Sequence, residues 1–148
     1  MTAHNTPRGW LTPLDIACAL DVWVDRLTIL AGERPHHVPG STRLNDFGEP
    51  FYQVHPDGRY SYEAWDRGSP CIQRYTRDVD ELLYWIVDDM ARQLAIAQAS
   101  RAAEYKTIDD ARRLWFPMWQ GWIATLNPHW GARTQQYITD TLARFPYR

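Results

Sequence analysis

Lysine is nearly missing from this chain of 148 residues: a single Lys stands beside fifteen Arg. Cysteine is also scarce, with only Cys18 and Cys71, so the disulfide framework of a small secreted scaffold is excluded. Charge of one sign is lacking too. The formal net charge of −2 provides no global field to gather nucleic acid or an acidic membrane. No apolar run reaches the length of a membrane span. The opening MTAHNTPRGW has no apolar stretch after a basic start, so no secretory leader is expected and the chain reads as cytoplasmic. No Gly-rich phosphate loop occurs.

Aromatics are abundant: eight Trp and eight Tyr. Most fall at helical spacing, where large aromatics fill a core, although Trp and Tyr also favour sites with one wet edge. The length predicts one domain over residues 1–148, large enough to bury roughly 70% of its unfolded surface without metal or disulfide. Both cysteines, one on a helix and one on a strand, are expected to be buried.

Residues 1–11 read as a loose arm, with Trp10 packing back. Thr12-Pro13-Leu14-Asp15 is a helix start, with Thr12 as N-cap, Pro13 in the first turn and an acid three residues after the cap. Ile16, Leu20, Trp23, Val24, Leu27 and Leu30 then recur at three-to-four spacing, predicting a helix over 13–31 stopped by Gly32. Residues 32–50 hold Gly, Pro, His and Asp without period and read as a long irregular loop.

Strands are predicted at 50–54, 59–65 and 71–75, joined by turns at His55-Pro56-Asp57-Gly58 and residues 66–70. Val79, Leu82, Leu83, Ile86, Val87, Met90, Leu94 and Ala97 form the clearest helical stripe, capped by Thr76 or Asp78. A further helix is expected behind a capping box at Thr107-Ile108-Asp109-Asp110, with Ile108, Trp115, Trp119 and Ile123 on its stripe. Pro117 is expected to kink or split it. Asn127-Pro128 opens the last helix, with Trp130, Tyr137, Ile138 and Leu142 inward. The fold class is therefore α+β: a three-stranded antiparallel meander packed on about four helices, in the order α-β-β-β-α-α-α.

Little in the pattern carries chemistry. Adjacent His36-His37 lack the spacing of helical ligand pairs, so no metal site and no cofactor are expected. No serine lies in a nucleophile elbow, and neither cysteine has a patterned His partner. The acids of residues 78–91, Asp78, Asp80, Glu81, Asp88 and Asp89, are met by no basic residue within that stretch. Only Asp88 has a basic i+4 partner, Arg92, so the face is either solvated or complementary to a basic protein.

The segments Arg59-Tyr60-Ser61-Tyr62, Asp66-Arg67-Gly68 and residues 74–89, including Asp80-Glu81-Leu82-Leu83-Tyr84-Trp85-Ile86, resemble the immunity protein 63 family of bacterial polymorphic toxin systems. The likeness spans about residues 49–148, with weaker similarity at 112–116 and 126–130. Where the family shows Glu-Arg-Gly, this chain has Asp66-Arg67-Gly68. The resemblance implies a stoichiometric binder that blocks a cognate toxin domain; the want of a catalytic constellation points to no enzyme, and the charge to neither nucleic acid nor membrane as partner. Contacts are expected from Tyr60, Tyr62, Glu63 and Arg67 on the sheet and Tyr84, Asp88 and Asp89 on the helix, since Tyr and Arg are frequent among binding hot spots. Two alternatives remain: a small enzyme reversing a toxin's modification, using His36, His37, Asp46 and Glu49, or a secretion adaptor with an exposed apolar groove.

Overall fold

The computed structural model describes residues 11–148, so the expectations for Trp10 and most of the N-terminal arm lie outside the described residues. Four α-helices and three strands follow the expected order: α1 (Pro13–Ala31), β1 (Phe51–Val54), β2 (Tyr60–Asp66), β3 (Ser69–Thr76), α2 (Val79–Arg101), α3 (Arg112–Leu126) and α4 (Pro128–Arg144). The sheet is an antiparallel meander, β1-β2-β3. The chain divides into two compact units, one holding the described residues up to Val22 with Pro39–Ile86, the other Trp23–Val38 with Val87–Arg148.

Local chemistry explains the element ends. The amide of Thr12 donates to Asp15 Oδ2 at 2.9 Å, and the amide of Asp15 donates to Thr12 Oγ1 at 3.2 Å. This is a capping box with Asp in the place of Glu. Thr76 Oγ1 accepts from the Asp78 amide, and Asp78 Oδ1 accepts from the Asp80 amide, leading into α2. Asn127 Oδ1 accepts from the amides of His129 and Trp130, with Pro128 in the first turn of α4.

In the first unit, alternation along β2 sorts the sheet into two faces. Tyr52, Tyr60, Tyr62 and Ala64 are buried together with Ile16, Leu20, Leu82 and Ile86. Their phenol groups are satisfied along that face: Tyr60 Oη accepts from the Leu11 amide at 2.9 Å, and Tyr52 Oη donates to the Pro13 carbonyl at 3.3 Å. Each large side chain sealed in this way contributes about 1.5–3 kcal/mol by leaving water.

In the second unit, Val24, Leu27, Val87, Met90 and Leu94 are buried with Phe116, Trp119, Ile123, Trp130 and Ile138. Trp23 packs on Trp130 with ring centroids 4.6 Å apart. At Gly131, α4 runs so close to α3 that a Cβ would stand 2.4 Å from Ala124 Cα. Glycine is there because no side chain fits between the two backbones.

Five local expectations are corrected. Ser69 and Pro70 belong to β3 and not to the turn, which narrows to Arg67-Gly68; β3 is the last strand in the order, where a proline without an N–H is tolerated. The capping box at 107–110 does not form: a 3-10 turn at Ala103–Lys106 precedes α3, and Thr107 Oγ1 donates back to the Glu104 carbonyl. Ile108 therefore lies outside α3. Pro117 does not split α3, since both it and Arg113, whose carbonyl loses a donor, face water. Tyr137 is 56% exposed, and Thr134 takes the inward position on α4. Cys18 and Cys71 are both exposed free thiols, because each sits on the outer side of its element.

Candidate interaction surface

Most of the expected site residues are buried or turned inward. Tyr60, Tyr62 and Tyr84 are buried, the first two on the sheet face that carries the core. In this conformation their rings fill space between elements and offer a docking protein no edge.

Glu63 lies on the opposite sheet face yet is only 5% exposed. Its Oε2 accepts from Ser61 Oγ at 2.7 Å, and Ser61 Oγ lies 2.8 Å from His55 Nε2. The single hydroxyl proton goes to the carboxylate, so the hydroxyl oxygen accepts from His55 Nε2–H. Trp65 Nε1 reaches Glu63 Oε1 at 3.4 Å. Tyr75 stands beside His55 with ring centroids 5.8 Å apart, and the Arg59 guanidinium lies 4.9 Å from the Tyr75 ring centre.

The order of this chain decides its chemistry. In a hydrolytic triad the acid orients the imidazole, which in turn activates the hydroxyl. Here the serine stands between acid and imidazole, and Ser61 is fully buried. The cluster satisfies polar groups beneath an aromatic surface instead of presenting a nucleophile. Alternation in β2 placed Ser61 and Glu63 on one face, but His55 joins them only through the diagonal neighbour relation of the β1–β2 hairpin. That pairing is not readable from a lone histidine next to a proline.

On α2, Asp88 turns inward. Its Oδ1 accepts from Trp119 Nε1 at 2.9 Å and from Thr134 Oγ1 at 2.7 Å, tying α2 to α3 and α4. Burial pushes its carboxyl above the usual aspartate range, and the two donors only partly oppose that shift. Arg92, expected to pair with Asp88, instead bonds Asp89 at 2.7 Å. The acid pair is therefore engaged within the second unit.

Arg67 is the candidate left open to solvent, with its side chain 89% exposed. It occupies the tip of the β2–β3 hairpin with φ of 52°, followed by Gly68 at 81°. Two positive values in a two-residue hairpin are the mark of a type I′ turn, which favours Asn-Gly.

The histidines and acids nominated for enzymatic chemistry fall in two different units. His36 Nε2 lies 3.8 Å from Glu33, whereas Asp46 is held by Arg43. Among the described residues, no group of three His, Cys, Asp or Glu side chains is placed to hold a metal ion. No helix of the described residues is long and apolar enough to cross a membrane.

Comparison with known proteins returns one positive finding: the family described as immunity protein 63 matches residues 57–140. No curated protein and no solved structure matches the chain. The matched span runs from the β1–β2 turn into α4 and leaves out α1 and the long loop.

Proposed function

Since the chain belongs to the immunity protein 63 family, we propose that it binds a cognate bacterial toxin and neutralises it stoichiometrically inside the producing cell. The observation that carries this reading is the match over residues 57–140, which takes in most of the sheet, all of α2 and α3, and most of α4. The site geometry agrees with a binding role. Ser61 and Glu63 are buried, while Tyr75 and Arg59 flank the cluster at the surface, a composition enriched at interface hot spots. Inhibition by occupancy requires no cofactor and no turnover.

The test is co-expression with the toxin domain encoded by the adjoining reading frame. Growth restored by this chain, together with a one-to-one complex on co-purification, is the expected result. A toxin that stays lethal in its presence, or a chain that rescues at amounts far below the toxin's, would sink stoichiometric neutralisation.

A further inference from the structure

An exposed apolar surface lies at one end of the sheet in the first unit. Residues of the long loop are fastened there to the β2–β3 hairpin through the backbone: the Gly48 amide donates to the Trp65 carbonyl at 2.7 Å, and the Arg67 amide donates to the Asp46 carbonyl at 2.9 Å. Phe47 forms a bridge with Asp66, and the Phe47 amide is also met by Asn45 Oδ1 at 2.9 Å. The Arg43 guanidinium lies over the Trp65 ring at 5.3 Å. Backbone held in this way has already lost its conformational freedom.

What this pinned loop displays is apolar. Phe47 is 80% exposed and Leu44 68% exposed. Beside them Arg67 stands in the left-handed region at φ 52°, where an L residue with a Cβ is strained and glycine or asparagine is preferred. Its nearest carboxylate, Asp66, is 4.0 Å away, so the guanidinium keeps donors to spare. The strained exposed arginine costs the free chain stability, and the ordered exposed phenylalanine contributes little to it.

We propose that the tip formed by Leu44, Phe47 and Arg67 is a preorganised docking site for the toxin, on a surface where an apolar hollow receives Phe47 and a carboxylate beside it pairs with Arg67. The assignment rests on the immunity reading. Charge complementarity selects the occupant: Asp66 approaches only Arg67 Nε, at 4.0 Å and beyond hydrogen-bond reach, so the guanidinium fork matches a partner carboxylate in bidentate geometry. Preorganisation lowers the ordering cost on binding, which otherwise offsets much of an interface's gain.

The experiment pairs the full chain with the toxin domain of the adjoining reading frame and measures affinity by calorimetry, with thermal melting of the free chain in parallel. Arg67→Gly is expected to raise the melting temperature of the free chain, because it relieves the left-handed residue, yet to weaken the complex about tenfold or more. Phe47→Ser should weaken the complex to a similar degree while leaving melting unchanged. Ile29→Ser, a control at an equally exposed apolar position on α1, should change neither.

Wild-type affinity in both tip variants would overturn the site but leave the immunity reading intact. A lowered melting temperature in Arg67→Gly would overturn the claim that Arg67 is kept at a structural cost. Self-association of the free chain that Phe47→Ser abolishes would make the occupant a second copy and overturn the proposal. A wild-type chain that binds no toxin would remove the immunity reading and this assignment together.

Discussion

Trp119 donates its indole N–H to Asp88 Oδ1 at 2.9 Å, and the same nitrogen lies 3.2 Å from the Asp88 carbonyl oxygen. A carboxylate on α2 thus fixes a buried tryptophan on α3, while Thr134 on α4 donates to the same oxygen. Removing the side chain takes away the acceptor that Trp119 Nε1 and the fully buried Thr134 share. Asp88→Ala is therefore expected to cost about 1–3 kcal/mol, read as a lowered urea midpoint. Asp88→Asn keeps an acceptor oxygen and should melt close to the wild type.

The same residue sets a pH dependence. Its folded carboxyl titrates above the ordinary aspartate range, so the folded state binds a proton more readily than the unfolded state. Stability from this group is lost as pH rises from the unfolded value through the raised folded one, and regained on acidification. The difference in stability between wild type and Asp88→Asn, followed by chemical denaturation across that window, should shift in favour of the wild type as pH falls. A difference independent of pH would show that Asp88 does not titrate in this way.

Asp110 should act with the opposite sign. Arg112 bonds it at 2.7 Å, and the amides of Arg112 and Arg148 add donors, so its carboxyl is held well below the usual range. Its contribution is present above the unfolded aspartate value and is lost as pH falls through the folded one. Asp110→Asn is expected to lower the melting temperature at neutral pH, with the deficit shrinking at strongly acidic pH. An unchanged melting temperature at neutral pH would contradict this.

Gly131 offers a sign test. In an exposed helix interior, Gly→Ala stabilises by about 1 kcal/mol. Here the new methyl would meet Ala124 Cα at 2.4 Å, so α3 and α4 must separate. Gly131→Ala should destabilise by about 1–3 kcal/mol, as overpacking does. Thermal melting of that one variant decides between the two.

Ser61→Ala removes the donor to Glu63 Oε2 and the acceptor of His55 Nε2 together. With Glu63 buried, the loss is expected to reach about 1–3 kcal/mol. Ser61→Thr retains the hydroxyl and should recover part of it. A neutral Ser61→Ala in chemical denaturation would show that the cluster is not held together through this hydroxyl.

The element order was legible because each element carries its own period and stop signals. The apolar stripe of α1, its Thr12–Asp15 cap and its Gly32 end fix Pro13–Ala31 from local chemistry alone. The alternation in β2 likewise separates Tyr60 and Tyr62 from Ser61 and Glu63. The start of α3 was not legible, because Thr107-Ile108-Asp109-Asp110 satisfies the capping pattern while the chain uses it for a connection. Residue type misled where composition stood for position. Tyr62 and Tyr84 suit an interface by chemistry but are buried, and the scarce cysteines suit a core but are exposed.

The sequence by itself determined the helix and strand order, the caps, the two-faced strand and the family, all of which depend on neighbours within a few residues or on a contiguous pattern. The tertiary structure decided which side chains meet across long separations. Asp88 finds Trp119 and Thr134 instead of Arg92, and Phe47 comes to stand beside Arg67 because the loop backbone pairs with the hairpin. Helical spacing places Arg92 within reach of both Asp88 and Asp89. It does not say which carboxylate is drawn inward, because that depends on donors supplied by other helices.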